Sequence, residues 1–513
     1  MRYKLPRLEL FDEHGLEAHT VKSLKLIIYA VVFGVIQFNI VSGIAMAGYL
    51  RSLGASDFIF GLLFAVGPIL SPLQLVASYL LERTQQRKKM LIGFGLLQRV
   101  VWLPLGLVPF FIPMEQLTLR IWMVSLFLFI AAFSGPFMNV TFFSLLADLV
   151  PEHIRGRYFA VRMRIFTMSG ILGGIITAWI LDSFPAFYSY ALVFTLAAVM
   201  GVSDVLCFFG VKFPDMSTNS IKVDKKADKK TNNEKINSEI AEKVEKVESK
   251  LEFDDEKEKF IPMLLSVLKN KSYMKFIFFM TLWLFSLNIS GPFILIHLRE
   301  GVRLSNTLIT VAVQILPNIC SVIIVSRWGR SLDTHGNKAV MQVANGILCF
   351  APFLWLFTGN NTISIVFIML IGLMQGLLLP GFDLGANNIM LGHAPKVNRS
   401  MYIAMFFTCT SIIGIGLANA TGGWLLDNVF SIPEAMELSL FGTTLTRYNY
   451  LLTLSAIMRC IMVYIALPIM VKEESRSSAW SLLKEILKAT RRRAFRLRAG
   501  ILIRIRRILI KKS

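Results

Sequence analysis

Twelve apolar runs constrain this chain more than any other feature. They lie near 24–49, 57–81, 90–112, 120–150, 165–182, 190–212, 273–298, 305–326, 339–357, 363–392, 401–427 and 448–471. A helix needs about 20 such residues to cross the hydrocarbon core of a bilayer. Backbone polar groups left open in lipid are too costly, so runs of this length fold as spanning helices. With 55% hydrophobic residues, 40 Phe and 23 Met, the chain is too apolar for a soluble protein of 513 residues. The expected fold class is an all-α membrane protein, with twelve transmembrane helices as two pseudo-symmetric six-helix bundles.

The two sets are related by an internal repeat. Residues 134–182 match residues 378–427. A shift of 244 places Pro136 on Pro380, Asn139 on Asp383, Pro151 on Pro395, Arg155 on Arg399 and Tyr158 on Tyr402. One inserted residue later, Trp179-Ile180-Leu181-Asp182 falls on Trp424-Leu425-Leu426-Asp427. Each copy reads as an apolar helix, a polar turn with Pro and Arg, and a Gly-rich apolar helix. Repetition of such a unit suggests a transporter built from repeats, with its substrate between them.

Short loops on one side carry Arg83, Arg87, Lys88, Lys89, Arg155, Arg157, Arg162, Arg164, Arg327, Arg330, Lys338, Lys396 and Arg399. The other side carries only Arg51, Arg120, Arg299, Arg303 and Arg447. The first side is therefore expected to be cytoplasmic, with both termini inside and the chain in the cytoplasmic (inner) membrane. The organisation expected is an N-terminal segment (1–20), a first bundle (21–212), a charged linker (213–260), a second bundle (261–471) and a basic tail (472–513). Linker residues 214–259 hold 11 Lys against 13 Asp and Glu and read as a solvated tether. The tail holds 14 Lys and Arg against three Glu, interleaved with Ile and Leu. That pattern suits an anionic lipid surface better than nucleic acid.

Cys207, Cys320, Cys349, Cys409 and Cys460 all lie in apolar runs and form no CxxC pair. No P-loop, GxSxG, metal cluster or cofactor motif is found. An enzyme, a cofactor and an ATP-driven pump are not expected, and neither is a nucleic-acid partner. A monomer is expected.

Residues 329–338, with Gly329, Asp333, Gly336 and Lys338, resemble the signature loop of the major facilitator superfamily, G-x-x-x-D-x-x-G-x-K/R. Its counterpart is residues 78–87, where a shift of 251 puts Glu82 on Asp333 and Arg87 on Lys338. Ser78 and Gln85 stand there in place of the glycines. The resemblance covers roughly 20–212 and 261–471. It implies two six-helix bundles rocking about a central site, lined by helices one, four, seven and ten with two, five, eight and eleven. The third, sixth, ninth and twelfth helices would stand outside.

A carboxylate at a helix end can hold an Arg or a helix N-terminus and so bias a two-state equilibrium. The latch candidates are Glu82, Arg83, Arg157, Arg162, Asp333, Gly336 and Arg399. Polar residues within spans are costly in lipid and therefore functional candidates. Those singled out for solute or ion binding are Gln37, Asn39, Asn139, Asn288, Gln314, Asn318, Gln375, Asp383 and Asn387. Asp383 stands first among them, about 15 Å from the basic edge and able to take a proton. Arg99 and Asp204, each about 14 Å deep, are expected to form a structural ion pair.

The function expected is transmembrane movement of a small solute by alternating access, proton-coupled or facilitative. An exporter of amphiphilic compounds, or a non-transporting sensor or lipid-handling protein of the same fold, is the alternative.

Overall fold

A computed structural model describes residues 18–213, 266–393, 399–431, 439–440, 443–471, 478 and 480–484. The N-terminal 17 residues, most of the linker and the tail beyond Lys484 lie outside the described residues, as do the side chains of Glu82, Arg155, Arg157 and Arg399.

Twelve helices among the described residues are long and apolar enough to cross a membrane. They are α1 (Ala18–Ser52), α2 (Asp57–Leu81), α3 (Arg87–Phe111), α4 (Leu117–Leu146), α5 (Val161–Ser183), α6 (Ala186–Phe209), α7 (Lys271–Gly301), α8 (Asn306–His335), α9 (Asn337–Phe357), α10 (Ile363–His393), α11 (Met401–Asn428) and α12 (Arg447–Met470). The helix that contains α5 begins at Glu152, directly after Pro151. Its basic first turns hide it from a hydropathy reading, which is why the fifth run reads shortest in the sequence. The described strands are β1 (Ser439–Leu440) and β2 (Thr443–Thr444), an antiparallel pair between α11 and α12.

Packing follows the repeat. In the first half α1 packs on α5 and α6, and α4 packs on α2 and α3; in the second half α7 packs on α11 and α12, and α10 packs on α8 and α9. The halves meet through two equivalent pairs, α2 with α11 and α5 with α8, and through the end of α1 with α7.

The apolar core has a different shape at each end. At the end that carries Arg51, one core runs through both halves, joining Ile40, Tyr49, Phe60 and Phe194 to Phe293, Ile309, Ala418 and Leu426. Toward the basic end it divides. Leu24, Ile27, Leu145, Tyr158 and Phe208 form a core inside the first half, and Phe276, Trp283, Phe382, Tyr402 and Phe406 form one inside the second. The repeat partners Tyr158 and Tyr402 thus anchor equivalent cores. The wedge is closed at the Arg51 end and parted toward the basic end.

Two turns show how far the repeat governs the backbone. Gly54 and Arg303, equivalent residues ahead of α2 and α8, both take left-handed conformations, with φ of 75° and 61°. In the signature loops, Gly336 has φ 87° and ψ 162°, a region essentially restricted to glycine. Gln85 has φ 53° and ψ 16°, which a non-glycine residue tolerates at a modest cost. The first loop therefore keeps a tight turn without glycine, by a different backbone route. Part of the tail is also placed: Leu482 is buried against Trp328, Leu332 and Val340 of α8 and α9.

Candidate functional site

The closed end is built from the last residue of the repeated Trp-x-Leu-Asp segment. Asp182, at the end of α5, crosses to the start of α8. It accepts from the backbone N–H groups of Asn306 and Thr307, both at 2.9 Å, and from both of their side chains, each at 2.7 Å. Asp427, at the end of α11, crosses the other way to the start of α2, accepting from the N–H groups of Asp57 at 3.3 Å and Phe58 at 2.8 Å. Helix N-termini present unpaired donors and partial positive charge, so each carboxylate is well placed. Ser56 and Ser305, again equivalent, cap the same two helices from within, both at 3.3 Å.

A second set of contacts at this end is not symmetric. Arg51 of α1 donates to Glu300 of α7 at 2.7 and 3.2 Å, and to the Tyr448 hydroxyl at 3.1 Å. It also pairs with Asp57 at 3.1 Å, and Asp57, fully buried, takes Arg447 of α12 at 2.9 Å. Arg299 donates to the Tyr190 hydroxyl at 2.6 Å. Backbones approach closely where α2 meets α11. A Cβ on Gly423 would lie 2.2 Å from the Asp57 carbonyl oxygen, so any larger residue there would push the halves apart.

Below these contacts Asn39 of α1 and Gln314 of α8 hydrogen-bond across the halves. They line a cavity of about 380 Å³ together with Phe38, Met163, Phe166, Thr310 and Asn318. Phe38 and Phe166 also wall a second cavity of about 210 Å³, which lies inside the first half between α1, α3, α4, α5 and α6. Arg99 and Asp204 line it, paired at 2.8 Å, and Arg99 also donates to the buried Gln37. Gly34 makes room for the pair, since a Cβ there would lie 2.9 Å from Asp204 Oδ2. The expected pair forms. α3 and α6 contribute no residue to the larger cavity between the halves, and send this charged pair to the smaller one inside the first half. With glycine at position 34, α1 leaves the space that the pair occupies.

The Major Facilitator Superfamily family profile matches residues 26–382. The chain belongs to the major facilitator superfamily. No curated protein sequence matches it. Solved structures share the fold at low identity. The nucleoside transporter NupG aligns with a TM-score of 0.59 and 12% identity over 89% of this chain and 100% of its own. A D-xylose-proton symporter aligns with a TM-score of 0.61 and 11% identity over 89% and 99%. A bacterial homologue of the iron transporter ferroportin, in an inward-facing state, aligns with a TM-score of 0.58 and 13% identity over 89% and 100%.

In this superfamily member the candidate residues separate into groups. Asn39, Gln314 and Asn318 share the larger cavity, and Asn139 lines the smaller one with the Arg99–Asp204 pair. Gln37 reaches that group through Arg99. Asn288 donates to its own helix, to the Leu284 carbonyl at 2.8 Å. Gln375, Asp383 and Asn387 line neither cavity. Asp383 and Asn387, one turn apart on α10, are exposed, and Asp383 has no hydrogen-bond or ion-pair partner among the described residues. Of the latch candidates, Arg83 and Asp333 are exposed at the basic end, and Gly336 forms the turn between α8 and α9. Glu82, Arg157 and Arg399 have side chains outside the described residues. Arg162 faces inward, lining the smaller cavity with its guanidinium 5.2 Å from the Phe142 ring centre. Sequence reasoning passed over Arg51, Asp57, Asp182, Glu300, Asp427 and Arg447. The signal for two of them was present, since Asp182 and Asp427 end the repeated segment.

Proposed function

We propose that the protein moves a small solute across the cytoplasmic membrane by alternating access, as a monomer with both termini inside. One observation carries this reading: the apolar core is continuous through both halves at the Arg51 end, whereas toward the basic end each cluster stays within one half. With the basic end cytoplasmic, this is an inward-open state. The larger cavity, with Asn39, Gln314 and Asn318, is the solute's path. Asp182 and Asp427 act as the outer latch, the counterpart of the cytoplasmic latch around Glu82 and Asp333, whose contacts form when that side closes. Because helix ends part when the halves rock, their four N–H contacts exist in one state only and bias the equilibrium between the two. Asp383, partnerless among the described residues on an inner helix, is the carboxylate assigned to proton coupling.

Distance measurements test this. Spin labels at Ser183 and Asn428 report on the outer end, and labels at Arg164 and Arg327 on the basic end. In the Asp182→Asn/Asp427→Asn variant the outer distance should lengthen while the basic-end distance shortens. Acid pH should shift the balance between the two states in the wild type and not in Asp383→Asn. Distances that stay fixed at both ends in the latch variant would sink the alternating-access reading.

A further inference from the structure

The smaller cavity holds a charge that no described residue answers. Of its charged lining residues, Arg99 and Asp204 form an ion pair at 2.8 Å. Arg162 does not share in that pair. It is half-buried, it lies over the Phe142 ring, and its Nε is buried with no hydrogen-bond partner. Among the described residues it makes no ion pair. The cavity therefore carries a net charge of one guanidinium. Its remaining wall is apolar, with Phe38, Phe143, Phe166 and Phe208, apart from the exposed amide of Asn139.

We propose that this cavity binds a small organic anion, an oxyanion head on an apolar or aromatic body, with Arg162 as its anchor. A guanidinium presents a planar fork of donors that matches a carboxylate or phosphate group two bonds at a time. Away from bulk water that attraction is strengthened, and an unanswered charge favours an anion over a neutral solute of the same shape. The phenylalanine walls take the body by burial of apolar surface. Asn139 supplies a donor and an acceptor for a second polar group on the solute. Phe38 and Phe166, shared by both cavities, place this pocket beside the path between the halves. The inference rests on the transport reading and narrows it, naming the class of solute that the path carries.

The test uses the full-length protein in nanodiscs of zwitterionic lipid. Benzoate, phenylacetate and phenyl phosphate are the probes, and benzyl alcohol is the neutral control. Calorimetry should show binding of at least one anion and at least tenfold weaker binding of benzyl alcohol. Arg162→Gln should weaken the anion at least tenfold, whereas Arg162→Lys, with the charge but not the fork, should keep part of the affinity. Asn139→Leu should weaken it less than Arg162→Gln. Replacing the lipid with phosphatidylglycerol should leave anion binding within about twofold. Loss of binding there would assign the site to a lipid headgroup and overturn the proposal. So would equal binding of benzyl alcohol, no binding by any of the anions, or wild-type affinity in folded Arg162→Gln. Anion binding with label distances fixed at both ends would keep this site and sink the transport reading. Moving distances with no anion bound would do the reverse.

Discussion

Arg51 crosses from the first half to Glu300 of the second at 2.7 Å, and Asp427 crosses back to the start of α2. Arg87 and Arg99, no less charged, close on Asp148 at 2.5 Å and Asp204 at 2.8 Å within their own half. Toward the basic end Lys88 donates to the Phe209 carbonyl at 2.8 Å and Lys338 to the Pro468 carbonyl at 3.0 Å, again without leaving their halves. The same residue types thus have two tasks. In the proposed cycle the ion pairs between the halves break, and at helix ends water can replace them. Bonds within a half must survive the cycle, so they fasten helices of one bundle together. Rocking of rigid bodies needs both, and among the described residues the ion pairs that cross between the halves lie at the Arg51 end.

The sharpest way to break this division is at Asp204. Asp204→Asn leaves the Arg99 guanidinium buried with no carboxylate, which should cost about 3–5 kcal/mol of stability. Thermal unfolding in detergent should show a clear drop in midpoint. Arg99→Met with Asp204→Leu should recover most of it, because replacing both partners removes the uncompensated charge. Label distances at the outer end should not change in the folded fraction. An Asp204→Asn protein as stable as the wild type would mean the pair does not fasten the bundle.

At Arg51 the opposite pattern is expected. Arg51→Met removes the bridge to Glu300 and Tyr448, while Asp57 keeps Arg447 at 2.9 Å. Hydrogen bonds to charged groups contribute about 1.5–3 kcal/mol each when buried, and this one is partly exposed, so a shift of about tenfold toward the outward-open state is expected. Unfolding should change little. A lower unfolding midpoint with no shift in the distance populations would place Arg51 among the residues that hold one half together.

Much of this was legible in the residues. Apolar runs reported the twelve spans because lipid leaves a helix no alternative at that length. The pairing of Arg99 with Asp204 followed from depth alone, since two buried opposite charges at one level have reason to meet. The outer latch was harder to read. Asp182 and Asp427 stood in the repeat, but their partners are backbone N–H groups of the opposite half, which no residue pattern displays. Arg162 read as a loop charge because its helix starts ten residues before it, hidden among basic residues that depress hydropathy. Which way Asp383 faces on α10 was not legible either: depth follows from counting, but facing depends on how α8 and α9 pack against that helix.

The smallest expected effect lies in the signature loops. Gln85 and Gly336 are equivalent residues that turn the chain differently, at φ 53° with ψ 16° and at φ 87° with ψ 162°. A left-handed conformation costs a non-glycine residue about 1–2 kcal/mol, and glycine gives back part of that gain through the freedom it adds to the unfolded chain. Gln85→Gly should therefore raise stability by about 0.5–1 kcal/mol, read as a small rise in unfolding midpoint. Gln85 sits between α2 and α3 of one half, so the state populations should stay as they were. A change in those populations would show that this turn, unlike the other contacts of the basic end, acts between the halves.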